Sequence, residues 1–362
     1  MTQPTSDCLR SFGHQDFDEQ RFTSDFGTKC PIRDCVAKLV DVPSGKRSFL
    51  VCVTHGIQLR PSKTFVYWNG SGRSGEARLR NFVIQTALAK ELALDSVAKA
   101  ESHRLGYEMS EDALTWNVFV GLAEAGGLRS ITHFLTGMDS GQEPELYLWG
   151  TRIDVHGSER GHFQSLYEVR DQLEKGIRKF LTEPDIMLVV PGRVVILVEA
   201  KFRSGNTLAH DGKTGVEEKP QDRLGLIRRY LIPAGQATRE AVRADEMGSR
   251  LHSQLFRNLI FASEMSKGHD WRVVNLVSET QWRSRAESSR ASFKDPSADI
   301  HRFLNTPHRH RFTFRTWEQL YGALTAPAPE LNGLRTYMQT KSAHFRPAFA
   351  LPSGAPDPGV AS

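Results

Sequence analysis

Residues 183–202, Glu-Pro-Asp-Ile-Met-Leu-Val-Val-Pro-Gly-Arg-Val-Val-Ile-Leu-Val-Glu-Ala-Lys-Phe, decide the fold of the chain's longest part. They hold two apolar runs, Ile186–Val190 and Val194–Val198, rich in residues that suit a buried pleated surface. Pro191-Gly192 between them predicts a tight turn, because proline fixes φ and glycine admits positive φ. An antiparallel fold-back centred there sets Asp185 opposite Val198 or Glu199. Side chains alternate along a strand, so Glu199 and Lys201 share a face and Ala200 takes the other. Two carboxylates and an ammonium then meet at the end of a hydrophobic hairpin.

Such a cluster is costly beside a buried sheet, where ionised groups lose hydration and like charges repel. A divalent cation relieves the repulsion, and Mg²⁺ is usually held by one or two carboxylates plus waters and substrate phosphates. Asp185, Glu199 and the Ala200 carbonyl are the expected ligands, with Lys201 placed to orient or deprotonate a water or to steady phosphate charge. The plainer alternative is a solvated ion-pair group on an edge hairpin. The spacing favours the functional reading: Pro-Asp, thirteen residues, then Glu-Ala-Lys at the end of an apolar strand.

In Pro184-Asp185 and Glu199-Ala200-Lys201 the chain resembles the PD-(D/E)XK nuclease superfamily. The resemblance covers roughly residues 105–280. It implies an α/β, restriction-endonuclease-like fold, with a mixed central sheet flanked by helices, and Mg²⁺- or Mn²⁺-dependent phosphodiester hydrolysis. It also implies a further glutamate from an upstream helix. Glu111 is the candidate, with Glu108 and Asp112 as substitutes; Glu168 is expected to face solvent. Some relatives carry a glutamine on the helix after the Glu-x-Lys strand, which makes Gln254 a candidate neighbour of the site.

Composition bounds the rest. At 362 residues the length suits two domains, and 39% apolar with 25% charged residues is the balance of a globular protein. The net charge of +5 and pI near 9.0 mildly favour an anionic partner. No apolar run reaches about 18 residues, which argues against a membrane helix. The polar start is not a signal peptide, and four cysteines make no disulfide framework, so a cytoplasmic setting is expected.

Three of those cysteines, Cys30, Cys35 and Cys52, complete a Cys₃His set with His55 in a C-x₄-C…C-x₂-H pattern. Zinc prefers such tetrahedral sulfur and nitrogen ligands, and four protein ligands leave no open position, so the expected role is structural. Three buried structural cysteines beside a surface histidine are the alternative. Ser48–Val53 and Lys63–Trp68 read as strands of a small β-rich zinc module at about residues 28–70, and residues 1–28 as loop. Arg60, Lys63, Arg73, Arg78 and Arg80 give it positive charge. Residues 69–77 read as a loop and 78–99 as a helix.

The predicted domains are an N-terminal region at 1–100, a nuclease-like domain at 101–325, and a C-terminal extension at 326–362, largely a disordered tail. Ser110 is a fair cap for a helix ending near Gly126-Gly127. Further expected elements are strands at 146–149, 272–277 and 311–317, and helices at 163–180, 224–231, 250–267 and 317–324. Residues 203–222 form an expected loop able to close over substrate. Residues 221–315 hold 17 Lys+Arg against 10 Asp+Glu, the best candidate for a phosphate-facing surface. Arg223, Arg228, Arg229, Gln254 and Arg257 are its named contacts; Arg283, Arg285, Arg290 and His308-Arg309-His310-Arg311 are its densest points. Trp282, Phe312, Phe314 and Trp317 are aromatics that stack on splayed bases or fill the core.

The expected function is a metal-dependent DNA endonuclease of restriction or foreign-DNA defence, with repair behind it. Alternatives are a nuclease acting on RNA and a nucleic-acid-binding protein without cleavage. DNA is the expected partner, no membrane is involved, and a homodimer or association with other defence or repair proteins would serve duplex cutting.

Overall fold

The computed structural model describes residues 10–44, 47–68, 75–84, 105–155, 161–176, 181–206, 208–210, 229–243, 250–286, 291–324 and 329–351. The chain divides into two units, Met1–Leu122 with Leu324–Ser362, and Ala123–Ala323.

The first unit opens with a short helix α1 (Glu19–Thr23), capped by Asp18, where the sequence reading expected loop. An antiparallel meander follows: β1 (Val40–Ser44), β2 (Arg47–Cys52), β3 (Ile57–Arg60) and β4 (Thr64–Tyr67), in sheet order β1-β2-β3-β4. Next come α2 (Gly75–Leu79) and α3 (Glu111–Glu124). The Ser110 hydroxyl accepts from the Ala113 amide at 3.0 Å, as expected of a cap. The expected 78–99 helix is replaced by the shorter α2 as far as residue 84; the remainder lies outside the described residues, as does Arg73.

The second unit is built on a six-stranded mixed sheet. It begins with α4 (Leu128–Thr136), which the sequence reading did not include, then β5 (Glu145–Leu148), β6 (Thr151–Arg152) and α5 (Gln164–Leu173). The deciding hairpin is β7 (Ile186–Val190) and β8 (Val194–Lys201), every residue buried. Gly192 sits in its turn at φ +69°, a conformation that suits glycine. β9 (Leu208–His210), α6 (Gln236–Ala241), β10 (Arg250–His252), α7 (Ser253–Met265), β11 (Asp270–Val277), α8 (Glu279–Ala286), α9 (Ser297–Phe303), β12 (Phe312–Thr316) and α10 (Trp317–Ala323) follow.

The sheet order is β12-β11-β8-β7-β5-β6, with β8, β11 and β12 parallel and the other pairs antiparallel. The fold is therefore α/β, a mixed sheet flanked by helices, beside a separate antiparallel sheet. α7 packs on β8 and β11, where Val195, Leu197 and Val273 meet Leu255, Phe256 and Leu259. α4 and α10 pack together; α4 lies against β11 and β12, and the Arg315 guanidinium lies 5.6 Å from the Phe134 ring. Arg315 is in register with Leu276, on the face away from α7. Phe312, Trp317 and Trp282 are buried, so these aromatics belong to the interior rather than to an open stacking face.

The chain then returns to the first unit as α11 (Asn332–Thr340) and a small hairpin, β13 (Ser342–Ala343) with β14 (Arg346–Pro347). The sequence reading expected an extension at 326–362 that is largely tail, on the Pro, Ala and Gly of 344–362; residues 329–351 instead carry α11 and the hairpin, and 352–362 lie outside the described residues. One side chain explains the correction. Phe345 is 1% exposed and meets Phe17, Phe22 and Phe65 at ring separations of 5.1, 5.6 and 5.9 Å. Buried Glu108 holds the segment down, accepting from the Thr64 hydroxyl at 2.6 Å and the Phe345 amide at 2.7 Å. Lys341 donates to the Glu108 carbonyl oxygen at 2.5 Å. Glu108 is thus a clamp within the first unit, not a substitute metal ligand.

Candidate functional site

The β7–β8 register pairs Ile186 with Val198, so the residue before β7, Asp185, falls opposite Glu199. One Asp185 carboxylate oxygen accepts from the Ala200 amide at 3.0 Å, which fixes it against the end of β8. Glu199 and Lys201 share the face covered by α7, and both are about 5% exposed. The Lys201 ammonium donates to Glu199 Oε1 at 2.5 Å. The Asn258 amide, from α7, donates to Glu199 Oε2 at 2.8 Å. Beneath them the Asn275 amide reaches the Glu199 carbonyl oxygen at 3.3 Å, and Asn206 donates to Asn275 Oδ1 at 2.7 Å. The outcome is a buried acid held at both oxygens, with a second carboxylate beside it.

Asp185 and Glu199 supply carboxylate oxygens, the donor type that hard divalent cations take. Each carboxylate oxygen carries two lone pairs, so the Asn258 bond leaves Glu199 Oε2 capacity for a metal. The Lys201 ammonium on Oε1 would have to turn away before a cation took that oxygen. Ala200 contributes its amide to Asp185, while its side chain is buried on the opposite face.

The other expected residues are placed as follows. Glu111 opens α3 and lies at the first unit's end of the division, whereas Asp185, Glu199 and Lys201 belong to the second unit. Asp112 follows Glu111 in the same turn. Glu168 is exposed and paired with Lys267 at 2.7 Å, facing solvent as expected. Gln254 is half-buried on α7; the residue one turn later, Asn258, is the one that reaches Glu199. Arg257 is half-buried on α7 and Arg229 is exposed. Arg223, Arg228 and Arg290 lie outside the described residues, as does most of the 203–222 loop. Arg80, expected among the charges of the zinc module's surface, is instead 5% exposed and donates to the His55 and Gly56 carbonyl oxygens at 3.0 and 2.9 Å.

In the first unit Cys30, Cys35, Cys52 and His55 come together, with ligand atoms all within 4.8 Å of one another, close enough to hold a metal ion. Cys52 ends β2, His55 sits in the turn to β3, and Cys30 and Cys35 flank the loop before β1. Cys35 Sγ lies 3.8 Å from Cys52 Sγ, and His55 Nδ1 lies 3.4 Å from Cys52 Sγ and 3.6 Å from Cys30 Sγ. Zinc bond lengths of about 2.3 Å to sulfur and 2.0–2.1 Å to nitrogen give tetrahedral edges of about 3.8 and 3.5 Å. The residues therefore fit that ion. Without a metal the thiols compete for one negative charge. A hydrogen bond from Cys30, with His55 assisting, pulls the Cys52 thiol down to about 4. The same bond, with burial, pushes Cys30 up, and burial pushes Cys35 up.

Among the described residues no helix is long and apolar enough to cross a membrane. Comparison with protein-family models, curated proteins and solved structures gives no match for this chain.

Asn206, Asn258 and Asn275 were not assigned roles at the site from sequence. The available signal was a polar residue inside an apolar pattern: Asn275 interrupts Val273-Val274 and Leu276-Val277, and Asn258 sits between Phe256 and Leu259 on a helix with ten buried residues.

Proposed function

We propose that the second unit is a divalent-metal-dependent phosphodiesterase acting on DNA, with a restriction-endonuclease-like core, and that the first unit carries one structural zinc. The observation that carries the first reading is Asp185 set against the end of β8 beside the buried Glu199–Lys201 pair, on one face of a mixed sheet. The Pro-Asp…Glu-Ala-Lys resemblance supports the same chemistry. A bound Mg²⁺ or Mn²⁺ would polarise the phosphate and lower the pKa of a coordinated water. Asp185 and Glu199 would hold it, and Asn258 would keep the Glu199 carboxylate turned toward it. Released from Glu199, the Lys201 ammonium would orient the attacking water and offset charge that builds on the phosphate in the transition state. Defence against foreign DNA is the cellular role we propose, on the resemblance alone.

Incubating supercoiled plasmid, single-stranded DNA and matched RNA with the full chain, in Mg²⁺, Mn²⁺ or EDTA, tests the reading. Metal-dependent cutting that Lys201→Ala lowers by about 10²- to 10³-fold supports it. Preferential cutting of RNA would move the substrate class while keeping the site. One observation favours a second reading, binding without cleavage: Lys201 already neutralises Glu199 with no cation needed. Tight DNA binding by folded, zinc-loaded protein that cuts no substrate would select that reading.

A further inference from the structure

A cavity of about 330 Å³ opens beside the carboxylate site, lined by Val277, Trp282, Phe293, Phe314, Thr316 and Gln319, with Glu279, Arg283 and Asp295 around it. Its position follows from the register of the parallel strands. Asn275 pairs with Glu199 and Val277 with Lys201 on β8; Phe314 pairs with Asn275 and Thr316 with Val277 on β12. Residues in register on neighbouring strands share a face. Phe314, Val277 and Thr316 therefore lie on the Glu199–Lys201 face, at the carboxyl ends of the three parallel strands. Strands are spaced about 4.8 Å apart, which puts the cavity's floor roughly 5–10 Å from the Lys201 backbone. One nucleotide step of an unstacked strand covers such a distance.

The cavity is braced to the catalytic strand. The Trp282 indole donates to the Ser204 carbonyl oxygen at 3.2 Å, three residues beyond Lys201. The Asn206 amide donates to the Ser292 carbonyl oxygen at 2.9 Å, next to Phe293. Between them Gly205 approaches so closely that a Cβ there would sit 2.7 Å from Ser292 O. The Ser278 amide donates to the Lys201 carbonyl oxygen at 3.0 Å. Asn206 also bonds Asn275, which bonds the Glu199 carbonyl oxygen, so a chain of hydrogen bonds joins the wall to the strand that carries the acid.

Its lining suits a flat ring with polar edges. Trp282 and Phe293 meet edge-on at 5.8 Å and form a buried aromatic wall. Phe314 lies 6.1 Å from Trp282 and is half-buried, which leaves part of its ring to the cavity. The Thr316 and Gln319 side chains each accept from the other's backbone amide, at 3.1 and 3.0 Å, which leaves the Thr316 hydroxyl proton and the Gln319 NH₂ as donors. At the rim the exposed Arg283, paired with Glu279, is the one cation among the described lining residues, beside Glu279 and Asp295. The volume is at the low end of small-molecule sites, roughly 300–1,000 Å³, sized for one ring system rather than a polymer.

We propose that this cavity is a nucleobase subsite, which takes the unstacked base next to the scissile phosphate, with Phe314 as the stacking surface. The proposal rests on the phosphodiesterase reading for its neighbour, but its test does not require cleavage. The substrate it implies is a single strand or a locally opened duplex, because a base within a duplex cannot enter.

The test is equilibrium binding of a short fluorescent single-stranded oligonucleotide by the zinc-loaded full chain carrying Asp185→Ala, with no Mg²⁺ or Mn²⁺ added. Added Phe314→Ala should weaken binding about 5- to 150-fold, the range of one lost base–aromatic stack. Phe314→Trp should restore it, and an oligonucleotide abasic at the position in the cavity should bind the parent and Phe314→Ala alike. Arg283→Glu, an exposed rim change that leaves the interior intact, should weaken binding and flatten its salt dependence. Unchanged affinity in folded Phe314→Ala or in Arg283→Glu, or no single-strand binding by the parent, would overturn the subsite. Loss of binding in these variants with no cutting by wild type would overturn the nuclease reading and leave the subsite standing.

Discussion

The two candidate sites are organised in opposite ways. The Cys₃His group is legible only loosely in the sequence, yet its four ligand atoms stand at zinc spacing. The Asp–Glu–Lys group has the sharper motif, yet its charges are spent on one another and on Asn258 and Ala200. The difference is one of chemistry. Thiols packed in a small core gain little from neighbouring groups, and a shared proton or a metal is their best partner. A carboxylate and an ammonium neutralise each other, so the Glu199–Lys201 pair is stable without any further ligand. A closed soft site reads as structure, and a self-paired hard site reads as chemistry held in reserve.

The largest effect that separates the two lies in the first unit. Cys52→Ser should remove zinc, from about one per chain to near zero by elemental analysis. It should also unfold the first unit, because binding energy at such sites is folding energy. If circular dichroism and zinc content stay unchanged, the closed site is not structural. The same variant should leave the β7–β8 hairpin's hydrogen-exchange protection in place, since that hairpin lies in the other unit.

Next in size is Asn258→Ala. It removes the donor that holds Glu199 Oε2, and loss of such an orienting partner costs roughly 10- to 100-fold in metal affinity. Mn²⁺ titration followed by electron paramagnetic resonance checks it. Equal affinity in the variant would mean that Asn258 only fills space.

Glu108→Ala is a purely structural contrast. It strands the Thr64 hydroxyl and the Phe345 amide in a buried place, at a cost on the order of 3 kcal/mol. Denaturant unfolding should show the loss. A stability change below about 0.5 kcal/mol, the scale of neutral surface changes, would contradict the clamp.

The smallest effect is one of pH. Burial lowers the Lys341 ammonium from 10.5 to about 8 in the folded chain. Between those values the unfolded chain keeps a proton that the folded chain lacks, so this group makes stability rise with pH from about 8. Above pH 10 the buried Tyr67, raised to about 12 by burial, acts the other way, because the unfolded phenol ionises first. Thermal melts of wild type and Lys341→Met at pH 7.5, 8.5 and 9.5 should therefore show wild type gaining on the variant as pH rises. Parallel curves would remove Lys341 as their source.

Much of the second unit was legible because its central hairpin is two apolar runs joined by turn residues. β7, β8 and β11 fall where Val, Ile and Leu predict them, and β12 where Phe312 and Phe314 alternate with polar residues; Pro191-Gly192 narrowed the partner of Asp185 to Val198 or Glu199, and the register selects Glu199. The asparagine network was not legible, since Asn206, Asn258 and Asn275 are 59 to 76 positions from Glu199 or from one another in the contacts that join them, apart from the short step to Asn206. No local pattern encodes such a pairing. The terminal segment misled for a different reason. Composition rich in Pro, Ala and Gly describes an average, whereas a two-residue hairpin needs a single large anchor, Phe345. Arg80 misled similarly: its charge suggested surface, but carbonyl acceptors and the Tyr67 ring 4.4 Å away satisfy it inside.

The most direct test of the proposed chemistry is strand scission by zinc-loaded wild type and Asp185→Asn, side by side, on plasmid and single-stranded DNA with Mg²⁺, Mn²⁺ or EDTA. The proposal expects wild type to cut with either metal and not with EDTA, and folded Asp185→Asn to lose at least about 10²-fold. Equal cutting by Asp185→Asn, or cutting that persists in EDTA, would contradict it.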